Sequence, residues 1–312
     1  MGQRSDQETI DNVRKELYLD KPIPTQFALY LNDLSPIAIH KKIEKDKYEF
    51  KQIASLGDKK TLAIKKPYLR RSYQSKMKVW DLLVDAFPGT LILALLSIVI
   101  ATVVGIFLGI IAAIKQNTWM DTAAIFTSVL GISAPSFFAG ILIAYLFGFL
   151  FSEWTGLSII SPLWDYDPIH GKQLVLKSLI LPVITLALRP MAIITQITRT
   201  AMLDVLNQDY IRTAYAKGLN KKAVIWKHAL RNALNPVVTS VSGWFAELLA
   251  GSFFIEYIFG WKGIGKVTVD ALNKFDFPIV MGSVLFTATF FIVINVLVDF
   301  IYVWIDPRIK NY

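Results

Sequence analysis

Apolar residues along this chain gather into long runs separated by shorter polar connections, and the length of those runs sets the first expectation. Five of them, at about 90–114, 122–150, 174–198, 236–257 and 279–304, are long enough as helices, rising about 1.5 Å per residue, to cross a hydrocarbon layer of ~30 Å. The first carries Gly105 and Gly109 at the small-xxx-small spacing that lets a second helix approach closely. The second has Gly131, Ser133, Ala134, Pro135 and Ser136 at its middle. Proline removes a backbone hydrogen bond, and inside a membrane such a break persists only where neighbours or water satisfy the freed groups. Ser133 and Pro135 are therefore candidate pathway or hinge positions, with an ordinary packing kink as the alternative. Arg189 in the third run and Glu247 in the fourth join them, because a charge within a span is costly and faces protein or water; snorkelling from a span end is the plainer alternative.

The pattern before residue 88 is different. Ser5 and Glu8 have the spacing of a capping box, Ile10, Val13 and Leu17 follow at helical spacing, and Pro22 with Pro24 is expected to end that helix. Residues 35–78 are rich in lysine and interrupted by Pro36, Gly57 and Pro67, with a short strand expected around 61–64; they read as a surface-exposed, partly ordered insert.

Composition agrees with a membrane class. Of the 312 residues, 54% are hydrophobic and 18% charged, too apolar a balance for a soluble chain of this length. The net charge of +9 sits in blocks next to apolar runs, which points to topology and lipid headgroups rather than to nucleic acid. The absence of cysteine excludes disulfides and thiolate metal sites. The expected fold is thus an all-α polytopic membrane protein with five spans: a polar segment at 1–87, then a transmembrane domain at 88–312.

Between the third and fourth runs lies a basic island, DYIRTAYAKGLNKKAVIWKHALRNALNP, from Asp209 to Pro236. It has the layout of two short amphipathic helices. Ile211, Ala214, Tyr215 and Leu219 share one side of the first, with Arg212 and Lys217 elsewhere. Gly218 is the expected left-handed stop and Asn220 the cap of the second helix, in which Ile225, Ala229 and Ala233 line one face and Lys227 and Arg231 the other. Pro236 marks the start of the next element. Arg199, Arg212, Lys217, Lys221, Lys222, Lys227 and Arg231 against Asp204 and Asp209 place the loop 199–235 in the cytoplasm by the positive-inside rule. Alternation then puts the C-terminus inside and residues 1–87 outside. A polar segment outside with no leader suggests one more apolar helix before Met1.

The island resembles the cytoplasmic signature loop of ABC importer permeases, the EAA loop, in the form found in the dipeptide, oligopeptide and nickel group. The matching residues run from Gln208 to Leu219, Tyr215 excepted, and continue over His228–Ala233 and Pro236. Arg212 and Thr213 stand where the general pattern has glutamate and alanine, and Arg231 where it has proline; these departures are those of the peptide-type branch. Glu256, Gly263 and Gly265 resemble that family's extracytoplasmic turn, and Asp299, Asp306, Pro307 and Arg308 its C-terminal end. The resemblance implies six spans and no cofactor. Its implied partners are two ATP-hydrolysing subunits, a second permease, an extracytoplasmic solute-binding protein and the membrane lipids, with no nucleic acid. It also implies that the loop couples the permease to an ATPase, with Tyr210, Arg212, Thr213, Ala214, Lys217 and Gly218 as the residues of that contact.

Other classes fit less well. No GxxxxGK[ST] run is present, so ATP hydrolysis is expected in partner subunits. A membrane-embedded enzyme lacks a clustered site, because His40, His170 and His228 are dispersed over expected loops and no HExxH pair occurs. An ion-coupled carrier would draw on Lys177, Arg189, Glu247 and Asp299, which lie on separate spans without the spacing of a relay.

Overall fold

The computed structural model of the chain describes residue 14 and residues 17–41, 48–57, 59–160, 164–167 and 171–305. The chain forms two compact units, residues 1–82 and 83–312.

The first unit opens with helix α1 (Ile23–Leu34). Pro22 and Pro24 stand at the start of this helix, because a proline in the first turn gives up only an N–H that has no intrahelical partner; the helix they were expected to end lies almost entirely outside the described residues. The expected capping pair Ser5 and Glu8 lies outside the described residues. Three antiparallel strands follow, β1 (Ile37–Lys41), β2 (Lys51–Leu56) and β3 (Lys60–Ile64), in the order β1-β3-β2 with a bulge between Gln52 and Ala54. The segment expected to be partly ordered is therefore a sheet, and the chain is mostly helical, not all-α. Hydropathy hid this sheet because its pattern is inverted: Ala38, His40, Thr61 and Ala63 point inward while Ile37, Ile39 and Ile64 point outward. The inward side packs on Tyr48, Phe50 and Tyr68, and His40, a strand residue and not a loop one, stacks on Tyr48 at 4.0 Å between ring centroids. Lys65 is buried there against the Asp33 carbonyl, and burial lowers its pKa to about 8.

The second unit is built on long helices. Helix α2 (Val79–Ile114) covers the first expected span. The second is broken: α3 (Trp119–Ser133) and α4 (Ser136–Tyr145, continued by a wider turn over Leu146–Leu150) meet at 105° around Ala134 and Pro135. A short helix α5 (Ser152–Thr155) and a hairpin of β4 (Trp164–Asp167) and β5 (Gly171–Leu174) lead through a 3-10 turn, Leu176–Leu179, into α6 (Ile180–Leu206). Then come α7 (Asp209–Ala216), α8 (Lys221–Ala223), a π turn over Val224–Ala229, α9 (Leu230–Gly251), α10 (Phe253–Ile258), α11 (Ile264–Asn273) and α12 (Phe277–Ile305).

Among the described residues, α2, the Leu176–Leu206 stretch and α12 are long and apolar enough to cross a membrane, and the bent pair passes the same test only when its two helices are taken together as one broken span. Helix α9, where the remaining span was expected, carries Asn232, Asn235, Ser240, Ser242 and Glu247 and is not in that group. The Leu176–Leu206 stretch is the centre of the unit, with 61% of its apolar window buried against 33% for α2 and for α12. It packs on α3, α4 and α9. Against α2 the approach depends on the two glycines: a Cβ on Gly105 would lie 2.9 Å from Ile194 Cγ2, and one on Gly109 2.7 Å from the Thr195 carbonyl oxygen.

Candidate functional site

The connection from α6 to α9 folds as two amphipathic pieces around one left-handed residue. Gly218 has φ +79°, and its N–H donates to the Tyr215 carbonyl at 2.9 Å while that of Leu219 reaches Ala214 at 3.3 Å, closing the end of α7. Asn220 accepts the Ala223 N–H at 2.8 Å through its side chain and caps α8 as expected. Ile211 and Ala214 are buried with Val224, Ile225, Ala229 and Ala233 in one apolar cluster, whose other members include Ile110 and Ala113 of α2 and Met202 of α6. The loop is thereby seated on the ends of two long helices.

Two of the residues assigned to the inner face turn outward. Tyr215 and Leu219 are 43% and 39% exposed, because α7 has eight residues and only the narrow Ile211–Ala214 stripe reaches the cluster. Pro236 likewise does not begin an element: it lies inside α9, which continues from α8 through the π turn. His228 belongs to that turn, not to a loop, and His170 lies outside the described residues.

Of the six residues assigned to the coupling contact, five are exposed and Ala214 is buried. The Tyr210 hydroxyl accepts the Asn232 amide at 3.0 Å, tying α7 to α9. The Thr213 hydroxyl is spent on the Asp209 carbonyl at 3.0 Å. Arg212 has Asp209 at 3.5 Å, with 77% and 96% of the two side chains exposed, and solvent screens such a pair almost completely.

The pathway candidates do not form one cluster. Ser133 and Pro135 are exposed at the break between α3 and α4. Arg189 lines a cavity of about 280 Å³ at that break, together with Thr127, Ala134, Ser136 and Leu188, and its guanidinium lies 5.6 Å from the Trp244 ring of α9. Glu247 is exposed on α9 and takes no part in that cavity.

The fold builds two polar constellations, one that sequence reading missed and one that it named only by resemblance. Asp121, in the first turn of α3, is buried and held by Arg199 of α6 through two bonds, Nε to Oδ1 at 2.5 Å and Nη2 to Oδ2 at 2.8 Å, while its carboxylate also accepts the Asn117 N–H. Arg199 counted in the sequence only as a topology charge; the signal available was one acid and one base at the ends of adjacent apolar runs. The second is the turn of Glu256, Gly263 and Gly265. Glu256, on α10, is fully buried; it accepts the Ser252 hydroxyl at 2.7 Å and the Gly265 and Lys266 N–H groups at 2.7 and 3.2 Å, so its carboxylate caps α11. Thr90 of α2 accepts the Ile264 N–H at 2.9 Å beside it.

Comparison with known proteins agrees with this layout. Residues 105–311 match the family described as binding-protein-dependent transport system inner membrane component, and residues 1–94 match the model of its N-terminal region. The dipeptide transport system permease protein DppB of Alkalihalophilus pseudofirmus is 34% identical over 99% of this chain and 88% of its own length. The Bacillus subtilis DppB is 43% identical over 74% and 70%, and that of Escherichia coli K12 38% over 77% and 76%. Two solved structures share the fold: an amino acid ABC transporter with histidines (TM-score 0.54, 13% identity, 71% of this chain and 93% of that one) and the inward-facing MetNI methionine ABC transporter (0.56, 15%, 71% and 95%). With the family match over 105–311 and a relative aligned along almost the whole chain, this protein belongs to the binding-protein-dependent transport system inner membrane components, the permeases of ABC importers.

Proposed function

We propose that this permease is one of two that together enclose the translocation pathway of an ATP-driven importer for peptides or similar small solutes, and that α7 with the turn at Gly218 is the element an ATPase subunit grips. The partners in this reading are two ATP-hydrolysing subunits, a second permease, equal or different in sequence, and an extracytoplasmic solute-binding protein. The loop 199–235 and the C-terminus lie in the cytoplasm by its excess of lysine and arginine, and residues 1–87 lie outside. α9 crosses as the fifth span, its exposed polar residues, Glu247 among them, covered by the second permease. The peptide class rests on the names of the dipeptide permeases above. The reading as an ion-coupled carrier falls with the family membership.

The observation that carries the coupling role is the division of α7. Ile211 and Ala214 are fastened into a cluster with α2 and α6, while Tyr215 and Lys217 face outward and Arg212 is exposed in its screened pair with Asp209. A force on the outer face therefore reaches two spans through packed side chains, which transmit displacement because interiors are dense. The test uses the assembled complex in proteoliposomes with loaded solute-binding protein. Arg212→Glu combined with Tyr215→Ala is expected to lower stimulated ATP hydrolysis about tenfold, as loss of an interface anchor does, without reducing membrane insertion. Full stimulation in an intact complex would refute the role.

A further inference from the structure

We propose that Arg189 and the cavity at the broken span form a carboxylate-binding station in the solute's path. The inference rests on the reading above, that the solute is a peptide, and it adds the group by which the permease itself holds that solute.

Arg189 stands midway between Lys177 and Arg199, the nearest charges along the chain on either side, so in a spanning α6 it lies near the middle of the membrane. An arginine at that depth does not face lipid; it faces protein or water. Among the described residues no carboxylate comes within 4.0 Å of it. Its neighbour is the Trp244 ring at 5.6 Å, which supports a guanidinium through its π face and leaves the N–H fork for an anion. The cavity beside it, about 280 Å³, is walled by apolar Leu130, Ala134 and Leu188, with Thr127, Ser136 and Thr185 as polar groups and Arg189 as the one charged residue among the described lining residues.

Three features select the occupant. The cavity, about 280 Å³, lies at the small end of the ~300–1,000 Å³ usual for ligand sites and so suits a small solute or one end of a longer one. Lipid phosphates lie at the membrane surface, away from this depth. The planar fork of arginine matches a carboxylate in two parallel hydrogen bonds, and every unmodified linear peptide carries one at its C-terminus, whatever its side chains. A contact to that common group holds solutes of varied sequence while leaving the rest of each unread.

The experiment is uptake of radiolabelled Ala-Ala by the complete complex in proteoliposomes, at low concentration, with ATP hydrolysis measured in parallel. Arg189→Gln is expected to lower uptake about tenfold, the loss of one charge-assisted bidentate contact, while hydrolysis stimulated by loaded binding protein stays within about twofold of wild type. Arg189→Lys, which keeps the charge but not the fork, is expected to recover part of the uptake. Unchanged uptake in Arg189→Gln overturns the station and leaves the peptide reading standing. Failure of both variants to co-purify with the second permease also overturns it, because Arg189 is then an assembly contact. Absence of Ala-Ala uptake in the wild-type complex, with hydrolysis intact, overturns the peptide reading and the station together.

Discussion

The turn around Glu256 and the loop around α7 are both short helical pieces set between long ones, and the chain treats their polar groups in opposite ways. At the turn the buried polar groups are consumed inside the unit. Glu256 is 0% exposed and holds the start of α11, and the Trp261 indole N–H donates to the Gly89 carbonyl at 3.0 Å. The backbones approach so closely that a Cβ on Gly265 would lie 2.3 Å from Phe253 Cα and one on Gly89 1.9 Å from the Lys262 carbonyl oxygen. At α7 Ile211 and Ala214 are buried and the Tyr210 and Thr213 hydroxyls are bonded within the chain, while Tyr215, Arg212 and Lys217 stand in the open. A polar group satisfied within its own chain is a fastening, whereas an aromatic and basic face left unused is available to a partner.

The comparison can be broken first at the fastening. Glu256→Ala removes the acceptor of two backbone N–H groups and one hydroxyl in a buried place, and the expected loss is about 3 kcal/mol or more in unfolding of the purified protein. Retention of full stability would mean the turn is not the lock its geometry describes. The Asp121–Arg199 pair is intermediate, with a buried acid and a base 21% exposed. Asp121→Asn is expected to cost about 2 kcal/mol, below the range for a fully buried pair, and the exchanged double variant Asp121→Arg with Arg199→Asp should restore part of it in a double-mutant cycle.

Smaller effects sharpen the other side. A Cβ on Gly218 meets nothing within 4 Å, so Gly218→Ala is expected to cost only the strain of its positive φ, about 1 kcal/mol, read by the same unfolding measurement. Arg212→Glu is expected to leave stability within about 0.5 kcal/mol, since its pair with Asp209 is exposed, although the combined variant loses stimulated ATP hydrolysis. If Arg212→Glu destabilised the fold as much as Glu256→Ala, the distinction between fastening and open face would fail.

What the sequence determined by itself was whatever depends on near neighbours along the chain. The apolar runs at 90–114, 174–198 and 279–304, the left-handed stop at Gly218, the Asn220 cap and the stripe of Ile225, Ala229 and Ala233 follow from helical period and backbone preference, and each is found in the structure. The tertiary structure alone decided features that join distant residues or whose local preference is weak. It started a helix just after Pro22, where a proline's missing N–H has no intrahelical partner, and ran another through Pro236, where the surrounding helix persists despite the lost bond to the Asn232 carbonyl. It turned Tyr215 and Leu219 outward, because a helix of eight residues offers its neighbours a single stripe. It paired Asp121 with Arg199 and gathered Thr90, Glu256, Gly263 and Gly265 into one turn, arrangements whose free energy arises only when α2, α3, α6 and α10 are already packed. The inverted sheet of β1, β2 and β3 has the same origin: Tyr48, Phe50 and Tyr68 supply the buried area that its own inward residues lack.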